Sequence, residues 1–269
     1  EAGGWWVGDP DLQGDPAYSA VALYDVLLEA PSELSIASTG IVYDTIPYED
    51  GLTTGYHITT GPVRDFAIGF SRDFELLQAE RDGVNFHIWT TPGDRGDDAF
   101  AMTVTQQAVH VFDQAFGAYP FSEMDVVETH VLAAGIEYPG LIYIAESVWD
   151  QKDLFFEWVL AHETAHQWWY SMVGNNQVDE PWLDEGLTEY SVEVYFRETQ
   201  GEDAGQFIRD FYWNEVEGYV SSEGRQLPVG MPVAAYTGAE YRAFVYSGGA
   251  LFFSQLYEDY GAAAMDDFL

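Results

Sequence analysis

His162-Glu163-Thr164-Ala165-His166, answered further on by Trp182-Leu183-Asp184-Glu185-Gly186-Leu187, is the stretch on which the reading turns. Residues 153–173 read as a helix, and Gly174 is its C-terminal stop. Residues four apart share one helix face, so His162 and His166 reach one metal ion together. Glu163 then stands beside the open coordination position, where a carboxylate takes a proton from metal-activated water. Two histidines need a third protein ligand to leave one tetrahedral position for water. Glu185 supplies it after eighteen intervening residues, on a second helix that starts at Pro181 and runs towards Gly201. Loop 174–180 gives the chain room to turn back. The chain has no cysteine, so a transition metal must use His, Asp or Glu. The expectation is one zinc ion per chain on His162, His166 and Glu185. Two core histidines and a solvated carboxylate would be the plainer account, but it leaves the helix context and the spacing of Glu185 unexplained.

Outward from this centre the periodicity changes. Val104, Ala108, Val111, Phe112 and Ala115 form one helical face that ends at Gly117 and Pro120. Residues 124–132 and 141–145 read as strands, and 204–217 and 238–260 as further helices. Residues 18–91 are short alternating segments between Gly, Pro and Asp clusters. Val84-Asn85-Phe86-His87-Ile88-Trp89 is one example, and the pattern is that of an antiparallel β layer. The turn-rich, polar stretch 92–98 reads as a boundary. The expected fold is α+β, with an antiparallel β domain over 1–95 and a strand-then-helix domain over 96–269.

Four motifs in order resemble the gluzincin aminopeptidases, the family of aminopeptidase N and leukotriene hydrolase. They are His162-Glu163-Thr164-Ala165-His166-Gln167-Trp168-Trp169, Pro181-Trp182-Leu183-Asp184-Glu185-Gly186, Ala134-Gly135-Ile136-Glu137-Tyr138-Pro139-Gly140 and Tyr246-Ser247-Gly248-Gly249-Ala250. The third is similar to the family's Gly-x-Met-Glu-Asn motif, and the fourth to its Tyr-x-Lys-Gly segment. The resemblance covers roughly residues 98–260. It implies that 96–269 is a thermolysin-like catalytic domain, with a small sheet and mostly helices, that removes N-terminal residues from peptides. It also implies substrate binding at Gly135 and Glu137, with Glu137 near an edge strand holding the free α-amine. Tyr246 would donate a hydrogen bond to the oxyanion, with Tyr241 as the competing candidate. The sequence departs from the family at Ile136, Tyr138 and Gly248, and the first two change the wall of the amine pocket. The leading part matches the tail of the family's first β domain. The family's helical C-terminal domain finds no counterpart before Leu269, so a natural short form and an excerpt are both open.

Forty-six acidic residues face nine basic ones, for a formal charge of -37, and Lys152 is the only lysine. Such a surface repels nucleic-acid phosphates and anionic membranes, so neither is an expected partner. No apolar run is long enough to span a membrane, and Glu1–Gly4 lack the start of a signal peptide. The cytoplasm and a secreted location both stay open, in a high-salt setting where screening removes the self-repulsion. His57, His87, His110 and His130 lack ligand spacing and read as structural or exposed. The Trp168-Trp169-Tyr170 run reads as packing around the metal helix, and Asp184 and Glu189 as possible supports for the ligands. Three functions remain in play: an aminopeptidase, a metalloendopeptidase whose cleft ignores the amine, and a protease-like module without activity.

Overall fold

The computed structural model describes residues 14, 19–93, 97–149, 151 and 154–269. The expectations for Glu1–Gly4, Lys152, the helix start at Asp153 and positions 94–96 of the boundary stretch lie outside the described residues. The chain divides into two compact units. One is Ala20–Met172, and the other contains Val173–Leu269.

The described residues of Ala20–Met172 form three sheets. Strands β1 (Asp25–Pro31), β3 (Ile41–Pro47) and β4 (Thr53–Thr59) form an antiparallel sheet in the order β1-β4-β3. Strands β2 (Ser35–Ser38) and β5 (Ile68–Ser71) form a two-stranded ribbon. Strands β6 (Glu75–Arg81), β7 (Val84–Thr90), β8 (Glu123–Thr129), β9 (Gly135–Tyr138) and β10 (Leu141–Ala145) form a mixed sheet in the order β6-β7-β8-β10-β9. Turn chemistry fixes its two hairpins. Asp82 and Gly83 carry φ of 53° and 86° between paired Arg81 and Val84, the two-residue loop whose twist matches the flanking strands. Pro139-Gly140 turns β9 into β10, with Gly140 at φ 71° taking the position that disfavours a side chain.

Helix α1 (Asp98–Phe116) joins β7 to its parallel neighbour β8. It buries Val104, Ala108, Val111 and Phe112 of the expected face, while Ala115 is half-buried. The hydrogen-bonded β7–β8 ladder joins strands from either side of the stretch 92–98. Strands on both sides of that stretch share one sheet, which makes it part of a crossover connection. A short α2 (Glu146–Trp149) and α3 (Leu154–Ala165) follow. The expected helix over 153–173 stops early. Beyond Ala165 a wide turn runs over Gln167–Met172, and Trp169 (φ -95°, ψ 68°) and Tyr170 (φ 157°, ψ -63°) leave the helical region.

Val173–Leu269 is helical. It contains α4 (Pro181–Gln200), α5 (Glu202–Glu223), α6 (Gly238–Glu240), α7 (Gly248–Tyr260) and α8 (Ala262–Phe268), with a wide π-type turn over Tyr241–Ser247 between α6 and α7. Pro181 opens α4 at a position where no intrahelical N–H is needed, and Gly201 at φ 98° ends it. Gly186 of α4 meets Gly249 of α7 so closely that a Cβ on Gly186 would lie 2.8 Å from Gly249 Cα. These two residues let the backbones touch.

The whole is α+β: antiparallel strands lead, and a small mixed sheet with mostly helices follows.

Candidate functional site

Within Ala20–Met172, helix α3 delivers His162 and His166 to one place. Their Nε2 atoms stand 3.1 Å apart, and both rings are buried. Four-coordinate zinc with Zn–N bonds of about 2.0–2.1 Å needs ligand atoms roughly 3.3 Å apart, so the pair fits two corners of such a site. The wide turn after α3 settles the tautomer of one ring. By leaving the helical region it brings the Trp169 carbonyl back to His166 Nδ1, at 3.1 Å. A carbonyl only accepts, so Nδ1 carries the proton and Nε2 keeps its lone pair for a metal. The next carbonyl, of Tyr170, accepts from Arg64 Nε at 2.8 Å, which fastens the turn.

Glu163 lies one residue on from His162 and is buried. Its carboxylate fills the space that a side chain on Gly135, the first residue of β9, would need. A Cβ on Gly135 would fall 2.5 Å from Glu163 Cγ and closer still to the carboxylate. Glu137 follows two residues later on β9, half-buried and paired in register with Ile142 of β10. Gln167 holds this hairpin to the metal helix. Its Oε1 accepts from Gly140 N–H at 2.7 Å, and its Nε2 donates to the Tyr138 carbonyl at 3.1 Å. Trp168, Trp169 and Tyr170 are buried against neighbours that include Phe112 and Phe116, the packing role expected of them.

Within Val173–Leu269, α4 carries four buried carboxylates, each fastened to a named partner. Asp184 Oδ2 accepts from Gln177 Nε2 at 2.8 Å. Glu185 Oε1 accepts from the Tyr246 hydroxyl at 2.6 Å. Glu189 Oε2 accepts from Tyr212 at 2.6 Å. Burial, and then the Glu189 charge, push the Tyr212 phenol well above its ordinary range, so it stays a donor. Glu193 is fully buried between Arg209, whose Nη2 lies 2.5 Å away, and the Ser254 hydroxyl at 2.5 Å. Tyr241 packs its ring 5.5 Å from that of Tyr246. It is Tyr246 that hydrogen-bonds Glu185.

The structure thus brings together His162, His166, Glu163 and Gly135 in one unit, and Glu185 and Tyr246 in the other. Among the remaining histidines, His57 bonds Asp25. His110 stands 3.3 Å from Asp82, and His130 is almost fully exposed. Sequence reasoning missed Gln167. An amide directly after the second histidine of the motif, followed by the aromatic run Trp168-Trp169-Tyr170, was the signal available.

Residues 100–269 match the family model described as the peptidase family M1 domain. The chain is 28% identical over 158 residues to endoplasmic reticulum aminopeptidase 2 of Homo sapiens, covering 54% of this chain and 16% of that protein. It is 31% identical over 150 residues to probable aminopeptidase 1 of Sulfurisphaera tokodaii, covering 51% and 19%. It therefore spans less than a fifth of the length of either relative. A solved M1 zinc metallopeptidase from Deinococcus radiodurans shares the fold with a TM-score of 0.73 at 22% identity, over 94% of this chain and 56% of that one. The matched model covers well over half of the chain, and the chain belongs to peptidase family M1.

Proposed function

We propose that this chain carries the catalytic centre of a zinc aminopeptidase, with His162, His166 and Glu185 as ligands of one zinc ion. The observation that carries the reading is the imidazole pair, 3.1 Å apart with one tautomer fixed, on the same helix as a carboxylate set against β9. Family membership supports zinc as the metal, and the names of the relatives support aminopeptidase action. When bound, zinc supplies Lewis acidity, polarising a peptide carbonyl and acidifying water. Glu163 accepts the proton from the attacking water and returns it to the leaving amine. Glu137 pairs with the protonated N-terminus and so places the first peptide bond at the centre, while a substrate backbone extends along β9. Tyr246 spends its hydroxyl on Glu185 at rest, and it turns to the oxyanion as charge develops.

A layout in two parts belongs to the same proposal. A β portion over 1–95 leads into a catalytic portion over 96–269, and β6 and β7 of the first add two strands to the sheet that continues in the second. Peptides are the proposed substrates. The charge of -37 supports a saline setting, inside or outside the cell. No helix among the described residues is long and apolar enough to cross a membrane.

The test is hydrolysis of aminoacyl reporters with free and with N-acetylated ends, with and without a chelator. The expected result is chelator-sensitive cleavage of the free ends alone. Equal cleavage of both would mean an endopeptidase, and no cleavage by metal-loaded protein would mean a module without activity. Glu163→Gln should keep the metal and lower kcat by about 10²–10⁴-fold; near-normal turnover would remove Glu163 as the base.

A further inference from the structure

We infer a second divalent-metal site, formed by His87, Glu123 and Asp125 on the five-stranded sheet and separate from the pair on α3. The inference does not rest on the peptidase reading. Strands β7 and β8 are parallel neighbours in which His87 is the register partner of Asp125, and Glu123 precedes Asp125 by two residues. In a strand, residues two apart share a face, and cross-strand partners stand about 5 Å apart, so this arrangement gathers three side chains above one patch of sheet. One donor atom from each residue lies within 4.8 Å of the other two.

A hydrogen-bond network alone accounts for only part of the arrangement. Asp125 is 4% exposed, and a single oxygen, Oδ1, takes both Trp89 Nε1 at 2.5 Å and His87 Nδ1 at 3.3 Å. Glu123 then brings a second carboxylate to the same half-buried place. Among the described residues, His87 is the only basic side chain paired with either carboxylate. Two carboxylates in poor solvent repel, and a divalent cation between them reverses the sign of that interaction. The Trp89 N–H orients Asp125 from outside, in the manner of the partners that steer metal ligands. Glu123 also lines a cavity of about 220 Å³, together with Ser122, Thr59, Thr60 and Gly140 among others.

One imidazole and two carboxylates suit zinc or manganese better than calcium or magnesium, which prefer all-oxygen shells. Binding draws the donor atoms in to roughly 3.3 Å, with water completing the shell. The contraction falls on Glu123 in particular, whose side chain is the less buried of the two carboxylates. An ion held there would clamp β7 to β8, two strands whose only covalent link runs through α1, and its role is structural.

The experiment strips the full chain with chelator, reloads it with zinc in molar potassium chloride and excess magnesium, and counts retained zinc by mass spectrometry after dialysis. The salt and magnesium displace ions held loosely by surface carboxylates. Wild type should retain two zinc ions. The double variant His87→Gln, Glu123→Gln should retain one, with kcat/KM within about twofold of wild type. One ion fewer in the double variant than in wild type supports the site, whatever the pair on α3 holds, and an equal count in the two overturns it. Should the double variant fail to fold, His166→Ala decides: it should still hold one ion that His87→Gln, added to it, removes, and none in His166→Ala overturns the site.

Discussion

Gly135 shows how much a single hydrogen atom can decide. The strand that carries Glu137 approaches the Glu163 carboxylate so closely that no side chain fits between them. Gly135→Ala should push the Glu163 side chain aside, because a carboxylate end yields more readily than two backbones. The expected outcome is a fall in kcat of about 10²-fold or more, with thermal stability and zinc content nearly unchanged; a melting temperature that drops along with activity would show that β9 itself had moved. Tyr246 tests a different point. Its hydroxyl donates to Glu185 at 2.6 Å, so Tyr246→Phe removes a support of the proposed ligand as well as an oxyanion donor. If the oxyanion is its main charge, kcat should fall by about 10²–10³-fold with zinc retained. Weakened zinc affinity with kcat intact at saturating metal would assign it to orienting Glu185. Residue types and spacings in the sequence pointed to His162, His166, Glu163 and Glu185. That Gly135 touches Glu163, or that Tyr246 leans on Glu185, was not legible, because each depends on chain segments far apart in sequence.

At the scale of elements, two close fits do most to set positions. The first is the crossing of α4 and α7 through Gly186 and Gly249. Gly186→Ala puts a methyl group 2.8 Å from a backbone carbon, and overpacking of this kind costs about 1–3 kcal/mol. The measured melting temperature should fall by roughly 2–12 °C, and no change would mean that α7 slides freely. The second fit is the Gln167 amide, which ties the β9–β10 turn to the chain just past the metal helix. Gln167→Met should leave Gly140 N–H and the Tyr138 carbonyl without that partner and loosen the hairpin. KM for substrates with free N-termini should rise more than kcat falls, because Glu137 rides on that hairpin. A pure kcat effect would argue that Gln167 acts on the histidines instead. Apolar periodicity and end signals made α1 and α4 readable to within a few residues. The break after Ala165 was hidden because the segment holds no Gly or Pro before Gly174, and β9 is too short to show alternation. The α5 helix runs over Glu202–Glu223, well beyond the expected 204–217. Val216, Tyr219 and Val220 of its last turns stand at helical spacing and pack against Val233, Tyr236 and Phe244 among others, a signal interrupted in the sequence by Gly218.

For the molecule as a whole, the dominant fact is a charge of -37. In dilute buffer the screening length reaches about 30 Å at 0.01 M, against roughly 3 Å at 1 M, and net stabilities are only about 5–15 kcal/mol. The fold should therefore be loosest in dilute buffer and firmest at high salt, and zinc should partly restore the melting temperature at low salt. A melting temperature that stays flat from dilute buffer to molar potassium chloride would remove the saline reading. The charge itself is readable from composition without any structure. The joining of β7 to β8 was not readable, because parallel pairing across a helical crossover leaves no local mark in either strand. The position of β9 has its own consequence. In the sheet order β6-β7-β8-β10-β9 it is an outermost strand, and an outermost strand is a template for any extended chain, a second copy of itself included. Glu137 sits in that strand, and two β9 strands pairing with each other would bring like charges together. The carboxylate proposed to select a peptide's amine would then also keep molecules of this protein apart. Glu137→Val should raise self-association in light scattering at about 0.15 M salt, where a screening length of about 8 Å damps the general surface repulsion but not that of a close pair, while Glu137→Asp should not.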